Sequence, residues 1–187
     1  MDINIAPIEF SNTSLLSGIV SEVQKVFSGG SRTNIITLPL EVKSAYYSDR
    51  GQYFSTQIIA DTIKLTGQIS GKVLLLVEFD LFVPVFTYVF GEAQLNGKHS
   101  IVSVSRFHEE LYSGKTNENL LLERTKKEVL HELGHTFGLT HCKNWDCVMH
   151  QSQGVEEIDI KGSLYCKTCS KIVDIHNQIA ASSESRF

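Results

Sequence analysis

Residues 131–149 read HELGHTFGLTHCKNWDCVM. His131 and His135 stand four apart, and the apolar spacing around them predicts a helix from about Asn119 to Phe137. Side chains four apart on a helix share a face. Both imidazoles can then reach one metal ion at the roughly 2.0–2.1 Å that zinc–nitrogen bonds require. Glu132 sits beside the first of them, where its carboxylate can reach a metal-bound water without ligating the metal. His141 cannot join the pair on a continuous helix. A rise of about 1.5 Å per residue would carry it ~15 Å from His131, whereas two ligands of one zinc hold their donor atoms within about 3–4 Å. Gly138 resolves the conflict, because glycine accepts the left-handed conformation that ends a helix and turns the chain back. The pattern H-E-x-x-H-x-x-G-x-x-H therefore reads as helix, stop, and return of a third histidine. One such histidine alone would be read as a satisfied polar group near a core. Three in this register, with Glu132 and Gly138 in place, point to a metal site.

The second half of the stretch changes ligand type at adjacent residues, His141 and Cys142. The chain has four cysteines, Cys142, Cys147, Cys166 and Cys169, all in its last quarter. C-x4-C followed by C-x-x-C has the form of a tetrahedral four-thiolate zinc site, which leaves no open position and is therefore structural. The alternatives are two disulfides, redox-active thiols or buried unligated cysteines. The C-x-x-C lacks the βαβ surroundings of a thioredoxin-like pair. Met149, two residues after Cys147, is core filler on sequence grounds alone.

The rest of the chain supplies context. Its 187 residues fit one domain with a core that does not need disulfides. Net charge is −4 with acids and bases interspersed, so no basic stripe speaks for nucleic acid. The start, MDINIAPIEF, carries no Lys or Arg before Lys25, unlike a secretory signal. The apolar run Val73–Phe90 contains Glu78, Asp80 and Pro84, and reads as a buried strand plus loop rather than a membrane span. A cytoplasmic monomer with reduced thiols is expected.

Ile3, Ile5, Ile8 and Phe10 suggest a first strand, and Leu15, Leu16, Ile19, Val20, Val23 and Phe27 a helix stopped by Gly29-Gly30. Asn34 to Ser44 reads as a second strand, placed at an edge or bulge by Pro39. Ser55 to Leu65 reads as a helix and Val73 to Phe79 as a strong strand. Phe90–Gln94 and Ile101–Val104 flank the turn signal Asn96-Gly97. A last helix is expected from near Thr168 to Ile179. Strands and helices mostly alternate, so an α/β (α+β) domain results, with a mixed sheet of about five strands. A division into 1–137, ending in the active-site helix, and 138–187, holding the cysteines, is expected within that single domain.

The signature from His131 to His141, followed by Cys142, Cys147, Met149, Cys166 and Cys169, resembles the archaemetzincin family of zinc metallopeptidases. Sixteen residues, His150 to Tyr165, separate Met149 from Cys166, close to the family spacing. The blocks FDLFVPVFTYVFGEAQ and SVSRF, with Asp159 and Lys161, also fit, and the N-terminal third matches only loosely. The resemblance implies a metzincin-like fold with zinc ligands His131, His135 and His141, and Glu132 as general base and acid. It makes Met149 the methionine of the Met-turn, the loop beneath the metal. It further implies a peptide or protein substrate, two zinc ions per chain (one catalytic, one structural), and a sheet-edge strand within Phe90–Val104 that pairs with substrate backbone; an ordinary edge hairpin is the competing reading of that segment. Tyr165, Arg106 and His150 are candidates for a second oxyanion stabiliser. The competing readings are a zinc-containing peptide- or protein-binding module without turnover and a zinc hydrolase of a non-peptide amide. Internal cleavage and removal of the N-terminal residue both stay open.

Overall fold

Residues 73–77, VLLLV, form the central strand because none of their side chains carries a group that water would hold. The computed structural model describes residues 1–28 and 31–174. In it, Lys72–Val77 (β5) buries every residue after Lys72. Successive side chains of a strand point to opposite faces, and here each face has its own core. Leu74 and Leu76 pack with Leu15, Ile19 and Val23 of one helix and Val129, Leu130 and Leu133 of another. Val73, Leu75 and Val77 pack with Ile58 and Ile59 on the opposite face. Each such side chain contributes about 1.5–3 kcal/mol by leaving water.

The order along the chain is β1 (Asp2–Ile8), α1 (Thr13–Val26), β2 (Arg32–Ile35), β3 (Tyr46–Tyr47), β4 (Gln52–Phe54), α2 (Ser55–Leu65), β5, β6 (Leu81–Phe82), β7 (Gly91–Ala93), β8 (His99–Ser103), α3 (Glu110–Ser113), α4 (Glu118–Thr136) and α5 (Val155–Ile160). Five strands make one sheet in the order β2-β1-β5-β8-β7. All neighbours run parallel except β7, which is antiparallel to β8 and forms one edge. The expected mixed five-stranded α/β architecture is present. α1 and α4 cover one face and α2 the other. Asn12 caps α1 by accepting from the Leu15 N–H at 2.9 Å.

Several expectations change. The second strand is four residues, Arg32–Ile35, and not Asn34–Ser44. Pro39 has no N–H to give a ladder, residues 36–42 form no regular element, and Lys43–Ala45 is a 3-10 turn. A second sheet, β3-β4-β6, was not anticipated, nor were the short helices α3 and α5. The final helix covers 167–174 among the described residues; its expected continuation to Ile179, like the Gly29-Gly30 stop, lies outside them. Among the described residues no helix is long and apolar enough to cross a membrane.

Candidate metal centre

α4 begins at the cap Asn117, whose side chain accepts from the Leu120 N–H at 3.0 Å. From Arg124 onward it is buried nearly all round. It ends as its sequence predicts. Gly138 has φ 86°, its N–H reaches His135 O at 2.9 Å, and the Leu139 N–H reaches Gly134 O at 3.0 Å. From across the cleft the Asn96 N–H caps the His135 carbonyl at 2.8 Å.

The turn brings His141 back to the helix. One ligand atom from each of His131, His135 and His141 lies within 4.8 Å of the other two. The orientation of two rings is set by carbonyls behind them. His131 Nδ1 donates to Val148 O at 2.9 Å and His135 Nδ1 to Leu139 O at 2.7 Å. That tautomer leaves both Nε2 lone pairs facing each other at 3.1 Å, a separation two ligands of one zinc can take. Burial pushes His131 down to about 3 and also lowers His135 and His141. Imidazoles that stay neutral are the ones a metal can use.

Glu132 faces the same space, a cleft of about 630 Å³ that the three histidines also line. Its Oε2 is buried and has no hydrogen-bond partner among the described residues. Burial, with Glu128 beside it, pushes its carboxyl well above the usual range. Orphaned buried carboxylate oxygens are costly. A metal with its water would satisfy both this oxygen and the converging Nε2 atoms, so the residues fit zinc.

Two glycines that carried no role in the sequence shape this site. A Cβ on Gly91, in β7, would stand 2.6 Å from Glu132 Cγ and 2.8 Å from Ile101 O. A Cβ on Gly134 would collide with Met149 Sδ. Met149, fully buried, thus packs against the helix that bears His131 and His135. The signal was available in both cases: glycine inside a strand or helix marks a close approach.

Cys142, Cys147, Cys166 and Cys169 form the second group, their Sγ atoms all within 4.8 Å and none in a disulfide. Burial pushes the Cys147 and Cys169 thiols up, while the backbone N–H of Cys169 holds Cys166 down to about 7. The two groups share backbone. Cys142 N–H donates to Met149 O at 2.9 Å, and Val148, next to Cys147, takes the His131 hydrogen bond on its carbonyl.

The chain is similar to known proteins by family pattern, by sequence identity and by fold. The pattern of Peptidase family M54 matches residues 15–175. The chain belongs to this family, the archaemetzincins. An archaemetzincin of Methanocaldococcus jannaschii is 35% identical over 171 residues, covering 91% of this chain and 92% of its own. The crystal structure of archaemetzincin from Archaeoglobus fulgidus, complexed with malonate, superposes with a TM-score of 0.77 at 28% identity, over 92% of this chain and 99% of that one. A zinc-dependent peptidase from Methanocorpusculum labreanum gives 0.80 at 25% identity, over 91% and 99%. This chain is accordingly a zinc metallopeptidase acting on peptides or proteins.

Other residues singled out in the sequence take supporting places in this archaemetzincin. Asp159 accepts two bonds from Arg124 of α4, both 2.7 Å. Lys161, its side chain fully buried, faces Glu128 at 3.4 Å; burial raises the Glu128 carboxyl, but Lys161 together with His131 and His135 holds it low. Arg106 is bound to Asp80 at 2.6 and 2.7 Å and does not line the cleft. The Tyr165 hydroxyl donates to Leu130 O at 2.5 Å. His150 stacks on Trp145 at 3.7 Å and does not line the cleft. None of these three is brought to the reacting centre.

Proposed function

We propose that His131, His135 and His141 hold a catalytic zinc, that Glu132 is general base and acid for peptide-bond hydrolysis, and that Cys142, Cys147, Cys166 and Cys169 hold a separate structural zinc. The observation that carries this reading is the partnerless Oε2 of Glu132, set in the same cleft as three imidazoles with converging donors. A zinc ion so held supplies Lewis acidity towards a substrate carbonyl and acidifies water beside it. Glu132 takes the proton of the attacking water and delivers it to the departing amine, from a carboxylate that lines the same cleft as the three imidazoles. The three carbonyl-tethered and turn-held imidazoles keep their donors in place without the substrate's help. Among the described residues β7 pairs with β8 on one side only and lines the cleft, so its other edge is open to a peptide strand. The four thiols lie in a segment with a modest core of its own, where metal binding contributes to folding.

The test is metal analysis with a peptide-library assay on the wild type and on Glu132→Ala. Two zinc per chain with cleavage abolished by Glu132→Ala is the expected result. Two zinc without cleavage of any library peptide would turn the reading to a binding module, and one zinc would end the two-site assignment.

A further inference from the structure

The cleft is bridged. Its upper rim is the segment from Phe86 through β7 to Leu95, its floor is α4, and its lower wall includes Gln151, Ser152 and Gln153. Across it the Tyr88 hydroxyl donates to Gln153 O at 3.1 Å. We propose that Tyr88 and Gln153 form a latch which limits how far a peptide substrate extends along β7 beyond its Gly91 end. This rests on the peptidase reading above and narrows it to a substrate class: peptides short on one side of the scissile bond.

Each end of the bridge is braced from its own wall. The Arg106 guanidinium lies 3.9 Å over the Tyr88 ring and is itself fixed by two bonds to Asp80. The ring meets Phe90 edge-on at 5.3 Å between centroids, and Phe90 lies tilted against Phe107 in the core. The neighbouring Val89 N–H is tied to Leu81 O at 3.0 Å, so the backbone that carries the ring is anchored to β6. On the other wall the Gln153 N–H donates to the Glu157 carboxylate at the start of α5. Two separately braced walls are therefore joined, among the described residues, by this phenol-to-carbonyl bond. A peptide paired with the free edge of β7 runs into that bond where it passes Tyr88. The Ser152 hydroxyl, buried and without a partner among the described residues, lies in the same wall. It is a polar group left for a substrate that stops short of the bridge.

The experiment uses the zinc-loaded full chain and peptides sharing one cleavable core, lengthened stepwise on the amino side or on the carboxyl side. In the wild type, kcat/KM falls with length on one side only. Tyr88→Phe keeps the ring and its packing but removes the bond. It raises the long-to-short ratio of kcat/KM on that side by about fivefold, the scale of one lost hydrogen bond, and Tyr88→Ala raises it further. Equal length profiles in all three proteins, or a uniform change at every length on both sides, overturn the latch. The same peptides are titrated into Glu132→Ala with and without Tyr88→Phe, which reads length discrimination without turnover. If the wild type cleaves nothing but this binding profile still responds to Tyr88→Phe, the peptidase reading fails and the latch stands. If cleavage is robust and neither profile responds, the latch fails alone.

Discussion

Gly91 lacks a side chain where Glu132 needs room. An alanine there would place its methyl carbon 2.6 Å from Glu132 Cγ, and real contacts of that kind are not made. The backbone oxygen of Ile101 at 2.8 Å closes the other way out, so the carboxylate must move. A displacement near 1 Å at a reacting group costs about a hundredfold in rate. Gly91→Ala is therefore expected to lower kcat by about that factor while zinc content and KM change little. Its stability cost should shrink in a Glu132→Ala background, where the collision is absent. An equal melting shift in both backgrounds would assign the effect to Ile101 instead. His99 shows the other kind of buried constraint. Its ring is held between Thr66 Oγ1 at 2.7 Å and Gln94 Oε1 at 2.8 Å, and burial lowers it to about 4. The unfolded chain, titrating near 6.5, takes up a proton that the folded one refuses. Stability from this residue is thus complete above that value and is lost as pH falls towards 4. In metal-free protein, the drop in melting temperature between pH 7.5 and 4.5 should be smaller for His99→Asn than for the wild type.

At the scale of elements, the loop after α4 serves both proposed ligand groups. Cys142 follows His141 directly and is pinned to Met149 O, and Val148 between Cys147 and Met149 holds the His131 ring. Fixing the thiols by metal therefore fixes the carbonyl that aims one imidazole and the backbone that presents another. Cys142→Ser is expected to weaken zinc at the histidines by about tenfold, the lower range for loss of support behind a ligand. Competition with a chromophoric chelator measures this, and wild-type affinity in the variant would sink the coupling while leaving both sites intact. Why this region was legible in the sequence follows from its locality. The helix, its stop at Gly138, the third histidine and the cysteine spacing all sit within a contiguous run where periodicity and turn chemistry decide. The helix Ser55–Leu65 and the strand at β5 were readable for the same reason. The β3-β4-β6 sheet was not, because strands of two or three residues are too short to show a period. Nor were the Tyr88–Gln153 bridge and the reason for Gly91, which join residues far apart in the chain. The strand expected over Asn34–Ser44 is replaced by Arg32–Ile35, and Pro39, which has no N–H for a ladder, lies in the irregular stretch that follows.

Across the whole molecule, α4 is held to the C-terminal portion by apolar packing and, beyond it, by directed polar contacts. Arg124 binds Asp159 and Glu109, Lys127 Nζ donates to the carbonyls of Ile158 and Asp159 at 2.8 Å, and Glu128 faces Lys161. Apolar packing by Val155 and Ile158 accompanies them. Hydrophobic contacts alone tolerate sliding, whereas directed bonds from three residues of one helix to residues 158–161 permit a single register. That register matters because the same helix presents His131, Glu132 and His135. The Glu128–Lys161 pair is the most buried of these links, with side chains 7% and 0% exposed. Removing one partner of such a pair strands the other, at about 3–5 kcal/mol, whereas replacing both by apolar groups is often neutral. Lys161→Met should therefore lower unfolding free energy by roughly that amount in urea titrations of the zinc-loaded protein. Adding Glu128→Leu should restore most of it, since no charge is then left buried. The double variant should remain slow in peptide cleavage even so, because Glu128 lines the cleft beside Glu132 and its charge is gone. A double variant as unstable as the single one would show that the pair is needed for its own attraction. Recovery of both stability and rate would show that the register is set by Arg124 and Lys127 alone.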